Sequence, residues 1–171
     1  MDGAALSFPR LSGPVTAVAL VSQTGGPVWI ITGPDGQPRR YAARDGAPLG
    51  AVGKAEAQRI AGAAFAGNAP LTEMRRFTAD APPLDLRRPR PSWQATFGDG
   101  THIYVDATSG EVLALRTRFW RAYDLMWGIH IMDLQTREDT SNPFLWGFGG
   151  VALVTSLFGT TLLFRRRKAI K

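Results

Sequence analysis

Residues 91–113 read PSWQATFGDGTHIYVDATSGEVL, and this stretch decides the fold. Trp93-Gln94-Ala95-Thr96-Phe97 alternates large and polar side chains, the period of a half-buried strand. Asp99-Gly100 is a dipeptide that accepts the positive φ of a tight hairpin turn. His102-Ile103-Tyr104-Val105-Asp106 then returns as a second strand, rich in β-branched and aromatic residues. Ser109-Gly110 turns the chain again, and Glu111-Val112-Leu113 begins a third strand.

Upstream, residues 27–49 (PVWIITGPDGQPRRYAARDGAPL) carry the same grammar at a constant offset of 64. Pro27, Trp29, Thr32, Asp35, Gly36, Ala43, Gly46 and Leu49 match Pro91, Trp93, Thr96, Asp99, Gly100, Ala107, Gly110 and Leu113. Such self-similarity marks a duplicated structural unit. In the first copy Pro34 and Pro38 flank the turn, which predicts an edge strand there. The equivalence of Trp29 and Trp93 predicts core packing for both.

The flanking segments complete two small α+β units with antiparallel sheets. Val15–Ser22 reads as an opening strand, and Pro70–Thr78 as its counterpart. Lys54–Ala66 sets Ala57, Ile60, Ala61, Ala64 and Phe65 on one helical stripe and stops at Gly67-Asn68. Ala79–Pro91 is a Pro/Arg loop, and Arg116–Leu134 reads as a longer helix. The organisation expected is a first unit over 1–68, a second over 69–115, an amphipathic connector over 116–142, a transmembrane helix over 143–164 and a basic tail over 165–171.

The span is PFLWGFGGVALVTSLFGTTLLF, Pro143–Phe164, free of charge. A helix of that length covers the roughly 30 Å hydrocarbon core. Phe144, Trp146 and Phe148 sit at one end as interfacial rings, and Arg165, Arg166, Arg167 and Lys168 close the other. With Lys171, the tail holds five of the 20 Lys and Arg residues, leaving 15 against 14 acidic residues upstream. The basic charge is therefore a terminal tag, and a nucleic-acid face is not expected. The positive-inside rule puts the tail in the cytoplasm and residues 1–142 outside, in the periplasm for an inner-membrane protein. No hydrophobic run precedes Val15 to export them, so either the anchor inserts with a translocated N-terminal domain or an upstream transmembrane segment is missing, the second being the expectation. With no cysteine, disulfides, zinc-thiolate sites and thiol nucleophiles are excluded. No Walker loop, GxSxG, HExxH or Rossmann fingerprint is present, so no enzyme activity is expected.

The Trp93–Phe97 strand, Asp99-Gly100, Tyr104-Val105-Asp106, Ser109–Val112 and the stretch Trp127-Gly128-Ile129-His130-Ile131-Met132-Asp133 together resemble the PepSY family, specifically its membrane proteins with PepSY domains beside transmembrane helices. Arg137, Asp139 and Asn142 continue the juxtamembrane part of that resemblance. It implies tandem PepSY units on the extracytoplasmic side, in a non-enzymatic module that binds or regulates a partner such as an envelope protease. The alternative it implies is a haem-binding redox subunit in iron or siderophore handling, with His130 as an axial ligand. A homo-oligomer is compatible with either.

His130 and Asp133 stand three residues apart on the expected helix and share a face. A carboxylate bonded to one imidazole nitrogen fixes the tautomer and frees the other for a metal or haem. Trp120, Tyr123, Met126, Trp127 and Met132 would supply apolar walls. The plain alternative is a structural pair that anchors the helix. Phe119, Trp120, Tyr123, Met126, Trp127, His130 and Ile131 form a face suited to the membrane interface or the sheet. Tyr104 and Asp106 are expected on a solvated sheet face rather than as an acid–base pair. Arg87, Arg88 and Arg90 are expected in a solvated loop within reach of lipid phosphates or an acidic partner. Asp124, Glu138 and Asp139 lack metal spacing.

Overall fold

A computed structural model describes residues 6–169, so Met1–Ala5 of the first unit and Ile170 and Lys171 of the tail lie outside the described residues. The fold is α+β, with two four-stranded antiparallel sheets and three helices, the last of them apolar and long enough to cross a membrane. The first sheet runs β1 (Ala17–Gln23), β2 (Gly26–Thr32), β3 (Pro38–Ala42) and β4 (Pro48–Leu49), in that order. After α1 (Lys54–Ala64), the second runs β5 (Leu71–Phe77), β6 (Ser92–Phe97), β7 (His102–Asp106) and β8 (Val112–Arg116). The chain ends in α2 (Arg118–His130) and α3 (Pro143–Ala169). It divides into two compact units, one up to Arg118 and one from Phe119.

The sequence repeat is a repeat of hydrogen bonds. Trp29 pairs with Tyr41 across β2–β3, and Trp93 pairs with Val105 across β6–β7, at the same offset of 64. Ala43 N–H donates to Pro27 O at 3.0 Å, and Ala107 N–H to Pro91 O at 2.9 Å. Gly36 and Gly100 turn the first hairpins with φ of 69° and 80°, and Gly46 and Gly110 the second with 72° and 74°. These are left-handed backbones that glycine adopts without a Cβ penalty. The prolines do not make the first copy an edge. Pro38 takes the first position of β3, where a missing N–H is tolerated, and β3 lies between β2 and β4.

α1 packs its buried face on the second sheet, although the boundary at residue 68 groups it with the first. Ala57, Ile60 and Ala61 meet Ala95, Phe97, Ile103 and Val105 in one core cluster with Val52. Phe65 stacks on Phe97 with ring centroids 3.9 Å apart. The segment before the helix is fixed by two bonds: Val52 N–H to Ala107 O at 2.8 Å, and Trp93 Nε1 to Val52 O at 2.8 Å. Ser7 makes the equivalent pair on the first sheet, with its N–H to Ala43 O at 2.7 Å and Trp29 Nε1 on Ser7 O at 2.9 Å. Beyond Val52 comes a helix. Beyond Ser7 come Pro9, Gly13 and Pro14, which cannot sustain one.

The opposite face of the second sheet has its own cover. Loop 78–91 lays Leu86 on Tyr104 beside Leu113, and Tyr104 and Leu86 are fully buried. Tyr104 and Asp106 are therefore not on a solvated face; the Pro/Arg loop roofs them. Asp106 accepts N–H bonds from Thr108 and Ser109 and lies 3.3 Å from Arg90 Nη1. Arg90 thereby anchors the loop although its side chain, like that of Arg88, is exposed. The two sheets are tied through buried Arg40, which binds Glu56 and Gln23, while Gln23 Nε2 donates to Ser109 O at 2.7 Å.

Candidate functional site

Two regions compete as the site: the connector around His130, and the first sheet. The connector is built around a helix stop. Met132 N–H reaches Ile129 O at 3.1 Å and Asp133 N–H reaches Gly128 O at 2.9 Å, with Met132 at φ 57°. That is a Schellman arrangement with methionine in the glycine position, and it ends α2 at His130 rather than at Leu134. The carboxylate of Asp133 then organises the loop beyond. It accepts the N–H groups of Gln135, Thr136, Glu138 and Asp139 and the hydroxyl of Thr136. The Thr136 hydroxyl and these N–H groups hold its pKa well below the usual carboxylate range.

Asp133 is thus committed to its own loop, and no hydrogen bond joins it to His130 among the described residues. The sequence reading of a His–Asp pair, whether structural or supporting a ligand, gives way to a loop-organising aspartate. Arg137, also at positive φ, crosses Gly128 and reaches buried Asp124 at 2.7 Å. A Cβ on Gly128 would meet Arg137 Cγ at 2.8 Å and Asp133 O at 2.9 Å, so only glycine fits beneath that crossing. Asn142 closes the connector: Nδ2 donates to Ile131 O, and Oδ1 accepts Leu145 N–H at the start of α3. The Trp127–Asn142 motif is a folded joint in which Asp133, Arg137 and Asn142 are used internally.

His130 stands outside this joint. It is exposed, with its ring 5.9 Å from Trp127 and tilted 38°. Phe119, Tyr123 and Met126 share its face and are exposed as well. They form a stripe along α2, opposite buried Asp124 and Gly128, and do not close a pocket round the imidazole. A low-spin haem usually takes two axial ligands. The other histidine, His102, is held on β7, with Nδ1 3.1 Å from Asp85 Oδ2 and 3.2 Å from Gln94 Nε2. Among the described residues no group of three or more His, Asp or Glu side chains gathers as a metal site. Among the described residues of this segment, the side chains around His130 do not enclose the imidazole as a haem pocket would.

The first sheet carries a second candidate, one that the sequence reading missed. Its face equivalent to the one under α1 bears Val18, Leu20, Trp29, Ile31 and Tyr41. Val18 and Leu20 remain 46% and 44% exposed beside buried Ile31, whereas the matching face of the second sheet packs Ala95, Phe97, Ile103 and Val105 under α1. The coil Leu11–Val15 borders a groove of about 510 Å³ over Ile31, Gly33 and Tyr41. Asp35 and Arg39 pair at its rim at 2.5 Å, and the Arg39 guanidinium, with the Gln37 N–H, lowers the Asp35 pKa. The signal was available: Pro9, Gly13 and Pro14 stand where the second unit has a helix.

α3 is exposed from Trp146 to Arg165, and residues Pro143–Arg165 meet the length and composition of a membrane span. The hydroxyls of Thr155, Ser156, Thr160 and Thr161 bond to carbonyls one turn back, so the helix satisfies its polar groups internally. No family model, curated protein or solved structure matches the chain.

Proposed function

We propose that this protein is a membrane-anchored, non-enzymatic binding module of PepSY type that presents its first sheet to a partner protein on the extracytoplasmic side of a bacterial inner membrane. The carrying observation is the unequal cover of two equivalent sheets. The second is packed on both faces, by α1 and by loop 78–91. The first leaves Val18, Leu20 and the groove over Ile31 and Tyr41 open. An exposed apolar surface beside a rigid neighbour is the form of a docking site. An amphipathic helix fits it, because a helix fills the same position on the second sheet. An envelope protease whose activity is modulated is the partner class suggested by the resemblance.

A photo-crosslinking amino acid at Tyr41, in cells carrying the full chain, tests this. The expected result is a discrete adduct that the added substitution Ile31→Asp abolishes. Adducts only from the α2 stripe, for instance from Trp127, would place the binding surface on the helix and refute the sheet reading.

A further inference from the structure

The two sheets have four edge strands, and three of them carry a device against pairing with another chain. β4 has two residues, one of them Pro48. β5 carries Glu73, Arg75 and Arg76 and a register shift at Leu71/Glu73. β8 carries Arg116 and lies beside a register shift at Tyr104/Val105. Charges, prolines and bulges are the usual protections of a sheet edge. β1, AVALVSQ, has seven residues without a charge, a proline or a register shift.

The register says which backbone groups β1 leaves open. Pro27 has no N–H and lies opposite Ser22, in a position that needs no ladder bond, next to the turn pair Gln23–Gly26. Bonds to β2 therefore fall on Gln23, Val21, Ala19 and Ala17. The N–H and C=O groups of Val18, Leu20 and Ser22 point away from the sheet, towards the open edge. Leu20 is the midpoint of the strand.

From this the geometry points to a second copy of this chain as the occupant of the β1 edge, paired antiparallel about a two-fold axis at Leu20. In that register Leu20 faces Leu20 of the other copy, Val18 faces Ser22, and Ala17 faces Gln23. Every outward N–H meets an outward C=O over the whole strand. The neutral sequence brings no like charges together, and an uncharged strand gives an acidic or basic peptide nothing to read. Pairing joins two four-stranded sheets into one and sets Val18 and Leu20 of both copies on a single apolar face. Anchors in one bilayer would raise the effective concentration of copies. The pairing does not depend on what the open face binds.

The chain has no cysteine, so Leu20→Cys creates its sole thiol. Directly opposed Cα atoms about 5.5 Å apart are within disulfide range. Oxidation of this variant in membranes is expected to give a reducible species of twice the chain mass. Leu115→Cys, equally exposed on β8, is expected to stay single. Mixing Val18→Cys with Ser22→Cys chains should also give the dimer, which covers the case of a misfolded Leu20 variant. Leu20→Lys should abolish the dimer in detergent, by light scattering, with its circular dichroism unchanged. A folded Leu20→Cys chain that stays single, dimer formed equally through Leu115→Cys, or a Leu20→Cys adduct with another polypeptide would each overturn the proposal. Loss of the Tyr41 adduct alone would leave it standing.

Discussion

The two sheets share strand order, register and turn glycines, yet one is closed and the other open. The second gains α1 on one face and loop 78–91 on the other, and its central residues Ala95, Ile103, Tyr104 and Val105 are fully buried. Among the described residues, the matching face of the first receives the coil Ser7–Val15, which makes the same two bonds through Ser7, sets Phe8 on Trp29 and borders the groove beside Ile31. Duplication of a backbone framework therefore does not duplicate its cover. What differs is the sequence between the docking residue and the next strand, helical after Val52 and proline-broken after Ser7. One sheet is covered by a helix, and its twin keeps Val18 and Leu20 nearly half exposed.

The largest loss of stability is expected in the closed sheet. Phe97→Ala removes the ring under Phe65 and should cost about 3–5 kcal/mol in urea unfolding. Val18→Ala on the open sheet should cost less than about 1 kcal/mol, because its side chain is already half in water. Equal costs would mean that the open face is covered in the folded protein. Next in size is the tie between the sheets: Glu56→Ala leaves buried Arg40 without its carboxylate, at about 1.5–3 kcal/mol. Hydrogen exchange should then rise in both β3 and α1.

The indole bonds sharpen the contrast at lower cost. Trp93→Phe and Trp29→Phe each remove one N–H bond to a backbone carbonyl, about 1 kcal/mol apiece. The first should loosen the start of α1 in hydrogen exchange, and the second only residues 6–15. Loosening of α1 by Trp29→Phe would contradict the separate docking of the two segments.

The smallest global effect belongs to the connector. The Asp133 carboxylate has a folded pKa below its unfolded value, so its contribution is present above the ordinary carboxylate pKa. It is lost as pH falls through the lower folded value. Amide protection over 133–139 should persist at pH 4 and disappear in stronger acid. Asp133→Asn should remove protection of that loop at every pH while both sheets stay protected. Loss of sheet protection in the same variant would show that the joint and the sheets unfold together.

The duplication, both sets of hairpins, α1 and the apolar span were legible in the sequence, because each is a local pattern. Alternation, Asp-Gly turns, an alanine-rich stripe and an uncharged run of sufficient length need no distant partner to be read. The position of His130 just before the span was legible too, but its pairing with Asp133 does not form. Spacing on a helix brings two side chains together only while the helix continues, and the Met132 stop turns Asp133 into the loop. Tyr104 and Asp106 show the same limit from the other side. Strand alternation puts them on one face without saying that a loop from residues 78–91 will cover it.

Local patterns in the chain were enough to define the elements, their duplication and a C-terminal helix able to span a membrane. Only the tertiary structure decided which sheet α1 covers, where loop 78–91 lies, that Asp133 serves backbone N–H groups, and that β1 is left as an unprotected edge. The physical reason is that periodicity declares that an apolar face exists, whereas the surface that receives it is chosen by long-range bonds. Val52 to Ala107, Trp93 to Val52 and Gln23 to Ser109 are such bonds, and no local pattern encodes them.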